Sequence, residues 1–381
     1  MHDFLLKELY NTEDIMTELT NIGFDKSYVH RAKDKFEYKN FKIYNLTCAQ
    51  ANIIKQTALT VGADCGTHRE VITGKIEQSD CILGGSVSQL QKIADKLQAQ
   101  PFGLKILGQA LADRLNSSKA IQKTKLMGVL NVTTNSFSDG GEFFNFDDSI
   151  RHLKELIADG ADIIDIGAES TKPYSSAVSP EDQLSKLIPI LNYISDNNIT
   201  VPVSIDTRSA KVAEKCIELG VAIINDVSGF DYDSEMVNVI AKSPHVKVVI
   251  QHSKGTPATM QNSPAYENLM DEIYFSLKNK IDFALSAGVK LENIIVDPGI
   301  GFGKTKAHNL EILRRWQELK TLGCPVLIGL SRKSFLEMPE APNDEKDMYS
   351  LAFGSILINE NIDFLRVHNV KIHKTFQNIL K

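Results

Sequence analysis

From Lys125 onward the chain alternates short apolar, β-branched runs with polar or glycine-containing breaks and stretches of helical period. The runs are KLMGVLNV (125–132), ADIIDIGA (161–168), VPVSIDT (201–207), AIINDVSG (222–229), KVVIQHS (247–253), NIIVDPGI (293–300), PVLIGLS (325–331) and FLRVHNV (364–370). Near-continuous Val, Ile and Leu predicts strands buried on both faces, as in a parallel sheet covered by helices. Between the first two runs, DDSIRHLKELIADG predicts a helix capped by Asp147 or Asp148 and stopped at Gly160. Eight such units over roughly 250 residues predict an α/β fold of the (β/α)8 barrel type, with a doubly wound open sheet as the alternative.

Residues 1–120 read differently. FKIYNLT (41–47) and DCILGG (80–85) are each followed by helix-like sequence, ANIIKQTALTVGAD and VSQLQKIADKLQAQ. This predicts a small N-terminal α/β module, ended by the polar stretch ADRLNSSKAIQKTK, with the barrel domain over 121–381. Cys65, His68, Arg69 and Glu70 cluster in GADCGTHRE, which reads as a solvated loop. No motif assigns the module a role.

Composition narrows the classes of function. The 381 residues are 43% hydrophobic and 24% charged, which excludes a disordered or fibrous chain. A formal charge of -6 argues against coating nucleic acid or an anionic membrane, while leaving room for a local anion pocket. The five cysteines form no C-x-x-C pair, so neither a zinc ribbon nor a disulfide framework is indicated. Without a signal-like N-terminus or a long apolar run, a cytoplasmic protein is expected.

In a parallel barrel the reactive face lies at the C-terminal ends of the strands. Nearly every run ends in a polar residue there: Asn131, Glu169, Asp206, Asn225 with Asp226, His252, Asp297, Ser331 with Lys333, and Arg366 with His368. Asp165 sits inside its apolar run and reads as structural. Asp206, Asn225 and Asp297 offer acceptors to one cavity, which suits a flat heterocycle with adjacent N–H donors and equally suits magnesium. SRKS (331–334) and RVH (366–368) follow the seventh and eighth runs, where barrels often bind phosphate, so an anionic substrate is expected. DPGIGFGKT (297–305) fails as a P-loop because Pro298 stands where glycine is needed; its glycines fit a tight loop close to a ligand.

Together LMGVLNVTTNSFSDGGEFF, IIDIGAESTKP, VSIDT, INDVSG, DPGIGFGK, GLSRKS and RVHNV strongly resemble dihydropteroate synthase, in that family's order and over about two thirds of the chain. The resemblance implies a barrel that condenses 6-hydroxymethyl-7,8-dihydropterin diphosphate with p-aminobenzoate, aided by magnesium, in a homodimer that is a sulfonamide target. It implies pterin binding by Asp206, Asn225, Asp297 and Lys333. Asn131, Arg366 and His368 resemble the diphosphate site, Asn131 and Asp139 the metal site, and Phe137, Thr171, Pro173, Phe302 and Ser334 the p-aminobenzoate site. Catalysis would rest on Asp206, Asp297, Lys333 and Asn131.

The chain departs from the family pattern at Thr134 and Asn135, where Pro-Asp is common, at Lys172, where arginine is usual, and at Gln251 in the fifth-strand motif. Lysine replaces a bidentate guanidinium with a point charge, so loop geometry and sulfonamide affinity are the properties these departures touch. Two rival readings share the pterin pocket: a pterin-binding methyltransferase, which needs no SRKS or RVH anion element, and a pterin-binding protein without turnover.

Overall fold

The computed structural model describes residues 7, 9, 15–116, 123–132, 146–169, 178–254, 264–333 and 341–380. They divide into two compact units, Met1–Ala120 and Ile121–Lys381.

The first unit runs α1 (Ile15–Asn21), α2 (Val29–Lys33), β1 (Tyr38–Thr47), α3 (Cys48–Leu59), β2 (Asp64–Thr67), β3 (Gln78–Ser86), α4 (Val87–Leu97) and α5 (Leu104–Asn116). Its three strands form an antiparallel sheet in the order β1-β3-β2. The two strand-to-helix junctions use one device: Thr47 with Gln50, and Ser86 with Gln89, make reciprocal capping boxes that satisfy the first free N–H groups of α3 and α4. Ile54, Leu83, Leu90, Ile93 and Leu97 bury the helical faces against the sheet.

GADCGTHRE is not a solvated loop. Asp64–Thr67 pairs with β3, and the Cys65 side chain is buried in the core. A four-residue strand with Gly66 at its centre carries too little alternation to show as a strand, and its pairing partner supplies the order. The polar stretch expected to end the module is helical at its start, since α5 continues to Asn116.

The second unit alternates strand and helix throughout: β4 (Lys125–Asn131), α6 (Phe146–Ala158), β5 (Ile163–Gly167), α7 (Pro180–Asp196), β6 (Val203–Asp206), α8 (Ala210–Glu218), β7 (Ile223–Asp226), α9 (Met236–Ala241), β8 (Lys247–Gln251), α10 (Leu269–Ser286), β9 (Ile294–Asp297), α11 (Lys306–Arg315), β10 (Leu327–Gly329), α12 (Asn343–Asn359), β11 (Phe364–Val367) and α13 (Val370–Ile379). All eight strands are parallel and paired in order, with β11 beside β4. A parallel bridge from Val296 to Val326 joins β9 to β10 and closes the ring. Closure in sequence order makes this a (β/α)8 barrel rather than an open doubly wound sheet.

Strand alternation sorts the side chains. Met127, Ile163, Ile223, Val249, Ile295, Leu327 and Phe364 form an apolar layer inside the barrel, separate from the core between strands and helices. Two residues further along the strands, on the same inward face, stand Val129, Asp165, Asn225, Gln251, Asp297, Gly329 and Arg366, most of them polar. The apolar layer is thus a floor beneath a polar layer. Truncating a floor residue such as Ile295 to Ala would cost about 2–5 kcal/mol through lost burial and cavity formation.

Candidate active site

The polar layer begins with Arg366 on β11. Its Nε donates to Asp165 Oδ2 at 2.6 Å and one terminal nitrogen donates to Asp206 Oδ2 at 2.9 Å. Asn225 Nδ2 donates to the same Asp165 oxygen at 3.1 Å. One N–H of the Asn225 amide is therefore used on Asp165, and this orientation leaves its carbonyl oxygen to accept from a ligand. The other oxygen of Asp165 is buried without a partner among the described residues. An orphaned, buried carboxylate oxygen is an acceptor waiting for a donor.

Asp165, expected to be structural, lies inside the barrel bonded to Arg366 and Asn225. Its place inside an apolar run suggested a structural role, yet it lies two positions after Ile163 and so shares that residue's inward face. Strand parity was the available signal.

The electrostatics follow from burial. Asp206, only 7% exposed, has its carboxyl pushed up to about 7 by burial, a rise that Arg366 opposes and that Asp165 and Glu169 reinforce. Burial likewise raises Asp297, while Lys333, the Gly299 N–H bonded to its Oδ1 at 2.7 Å, Lys304 and Arg366 act in the opposite direction. Burial brings the Lys333 ammonium down to about 8 against the pull of Asp297. Arg366 is raised: burial disfavours its charge, and Asp165 with Asp206 outweighs that cost. Two buried carboxylates and an amide oxygen thus lie with two buried cations at one end of the barrel.

Lys333 donates to the Ile300 carbonyl at 2.5 Å and lies 4.8 Å from the Phe302 ring centre. Both contacts depend on the glycine loop after β9. A Cβ on Gly299, at φ +70°, would sit 1.9 Å from the His252 carbonyl oxygen, so only glycine lets this loop close onto the one after β8.

At the neighbouring edge Ser331 Oγ accepts from the His368 N–H and lies 3.0 Å from His368 Nδ1. Burial, with Arg332 and Arg366, brings that imidazole down to about 3, so it is neutral at physiological pH. Arg332, at φ +57°, is paired by both Nε and a terminal nitrogen with Asp347. Asn369 caps α13, whose N-terminal end lies beside these groups. Asn131 ends β4 with an exposed side chain, an oxygen donor of the hard type magnesium prefers.

The structure therefore brings Asp206, Asn225, Asp297, Lys333 and Arg366 into one pocket and sets Phe302 beside Lys333. Arg366, expected at the diphosphate, has its guanidinium engaged by Asp165 and Asp206. Phe137, Asp139, Thr171, Pro173 and Ser334 lie outside the described residues, as do the departures Thr134, Asn135 and Lys172. Gln251, the fourth departure, is buried and donates to the Val227 carbonyl at 3.1 Å, tying β8 to the loop after β7.

Residues 127–368 match the pterin binding enzyme family. The chain is 44% identical over 253 residues to the dihydropteroate synthase of Clostridium beijerinckii, covering 65% of this chain and 90% of that one. A crystal structure of dihydropteroate synthase from Clostridium difficile, obtained in the presence of pteroic acid, superposes with a TM-score of 0.63 at 39% identity, covering 68% of this chain and 96% of the other. The bifunctional dihydropteroate synthase/dihydropteroate reductase of Helicobacter pylori is 33% identical over 369 residues and 95% of both chains, so that match takes in most of the first unit as well. With a closed barrel, a buried layer of acceptors and cations at its mouth, and dihydropteroate synthases aligned along it, the chain belongs to the dihydropteroate synthase family.

Proposed function

We propose that the barrel joins 6-hydroxymethyl-7,8-dihydropterin diphosphate to p-aminobenzoate through the residues described above, releasing diphosphate. The observation that carries this reading is the set of buried acceptors Asp165, Asp206, Asn225 and Asp297 around Arg366 and Lys333. A flat pterin presents adjacent ring and amino N–H donors, which carboxylates accept in pairs, together with acceptors that Lys333 can meet.

The C–O bond to diphosphate breaks with its electron pair on the departing oxygen, leaving a methylene carbon conjugated with the electron-rich pterin. Asp206 and Asp297 stabilise the positive charge that develops there. His368, Ser331 and the N-terminal end of α13 face the leaving group. The amine of p-aminobenzoate, neutral and nucleophilic at pH 7, forms the new N–C bond and sheds a proton to solvent. No strong base is required, so positioning supplies much of the rate. Asn131 and Asp139 would hold magnesium, which takes few protein donors when phosphate oxygens supply the rest; when bound it neutralises charge on the leaving diphosphate.

The Helicobacter pylori match favours a second activity. We infer that the chain also reduces dihydropteroate, a hydride adding to carbon and a proton to nitrogen of the remaining ring C=N bond, with a reduced nicotinamide or flavin as donor and the first unit taking part. The family resemblance supports a homodimer. The described cysteines are all free thiols, which suits a cytoplasmic setting. None of the described helices is long and apolar enough to cross a membrane.

Incubation of the purified chain with dihydropterin diphosphate, p-aminobenzoate and magnesium tests the main reading: dihydropteroate and diphosphate should appear in equal amounts and vanish with a chelator. Pterin binding with no product would make this a binding protein without turnover. Adding a hydride donor to the completed reaction tests the second activity, through donor oxidation that depends on dihydropteroate.

A further inference from the structure

Lys304 follows the glycine loop after β9 and is 3% exposed. Its Nζ lies 2.9 Å from His252 Nδ1 and donates to the carbonyl oxygens of Phe302 at 2.9 Å and His252 at 3.4 Å. Among the described residues these are its hydrogen-bond partners, with no carboxylate in ion-pair contact. A buried lysine without a paired carboxylate is costly, and a methionine would fill the same space more cheaply. The three acceptors account for its presence.

Two of those acceptors belong to the loop after β8 and one to the loop after β9. The same loops meet backbone to backbone: a Cβ on Gly299 would strike the His252 carbonyl, and one on Gly303 would lie 2.4 Å from the Lys254 carbonyl. Lys304 is the polar fastening of that contact. The Tyr266 hydroxyl, which donates to the Gly303 carbonyl at 2.7 Å, fastens it from the far side.

What the fastening holds is Phe302, whose ring lies against Lys333. Resting on the proposed arrangement of pterin and arylamine sites, we propose that Lys304 is a positioning residue: it fixes the Phe302 backbone, and so the ring that separates the arylamine from Lys333, and holds His252 with Nδ1 as acceptor and Nε2 as N–H donor. Burial and the nearby Lys304, Lys280 and Lys254 bring the His252 imidazole down to about 2, so the ring stays neutral and available to accept at Nδ1. Burial also drives Lys304 itself well below the usual lysine range, with Asp297 opposing; three acceptors around Nζ match the three N–H donors of the ammonium form, and that form leaves Nδ1 of His252 to accept.

The test compares wild-type chain with Lys304→Met, which keeps length and apolar bulk, and with Lys304→Gln, which restores N–H donors. For Lys304→Met the KM for p-aminobenzoate should rise about tenfold or more while the affinity for a pterin analogue stays within about twofold, the scale of losing a hydrogen bond that orients one group. Lys304→Gln should recover part of the loss. Nitrogen-15 spectra of labelled histidine supply a readout independent of turnover: wild-type His252 should show an unprotonated Nδ1 and a protonated Nε2, and Lys304→Met should lose that fixed tautomer. A protonated Nδ1 in the wild type would overturn the proposal even if neither variant folded. So would an unchanged arylamine KM, or equal losses for both ligands, which would mark a merely structural lysine. Absence of wild-type turnover with the tautomer intact would count against the proposed reaction instead.

Discussion

The two units solve the problem of an interior in opposite ways. Among the described residues of the first unit, the buried polar side chains are Thr57, Ser79 and Ser86, none of them charged. The barrel buries Asp165, Asp206, Asp297, Lys304 and more, and gathers them above an apolar floor at one end. Burying a charge costs several kcal/mol on the usual scale, so a layer of them is retained for what it does to a ligand rather than for stability. The first unit carries the reverse signature: well-capped helices on an apolar core.

The comparison breaks most sharply at Arg366. If its guanidinium holds Asp165 and Asp206 together, Arg366→Met should strand two buried carboxylates and cost about 3–5 kcal/mol of stability, read from urea unfolding. It should also weaken a pterin analogue along with diphosphate. A variant of normal stability that lost only diphosphate affinity would return Arg366 to the leaving-group site. His368→Ala sharpens the same distinction, since its imidazole meets Ser331 and not the proposed pterin acceptors. Diphosphate product inhibition should weaken about tenfold with little change in pterin affinity, the effect of losing one hydrogen bond to a charged group.

That Arg366 needed the structure shows where sequence reading ends. The runs from KLMGVLNV to FLRVHNV each contain one of the observed strands, because strands buried on both faces leave a continuous apolar signature. Asp206, Asn225 and Asp297 were legible because they end such runs. Asp165 was hidden by its apolar neighbours, although parity with Ile163 placed it inward. The bonding of Arg366 was not legible at all: its carboxylate partners lie 201 and 160 residues away in sequence, and only barrel closure brings them together. β2 escaped for the opposite reason, being too short and too polar to announce itself.

A smaller effect comes from Asp206. With its carboxyl raised to about 7, the protonated form gathers as pH falls through 7, and a protonated acid accepts pterin N–H bonds less well. Pterin-analogue affinity should therefore fall by up to about tenfold per pH unit below that point, and Asp206→Asn should flatten the profile. The sign for stability is the reverse. A folded-state value above the unfolded one means that this group's contribution is fully present below about pH 4 and is lost as pH rises through 7. Calorimetric titration between pH 5.5 and 8 would be expected, on the order of that shift, to show the binding trend. The smallest expected effect on dihydropteroate formation belongs to the first unit: removing residues 1–120 should leave that reaction within about twofold, since the proposed pterin acceptors all lie on barrel strands, while the proposed reduction should be lost.

The central claim, that the charged layer inside the barrel is the pterin-recognition site, is tested most directly by titrating a pterin analogue into the full chain and its Asp297→Asn variant. Asparagine keeps the shape but turns an N–H toward the ligand where the carboxylate had accepted one. The account predicts a loss of roughly 2–3 kcal/mol, about 30- to 150-fold in Kd, with the fold intact. Equal affinity for the two proteins would contradict it and move pterin recognition away from this layer.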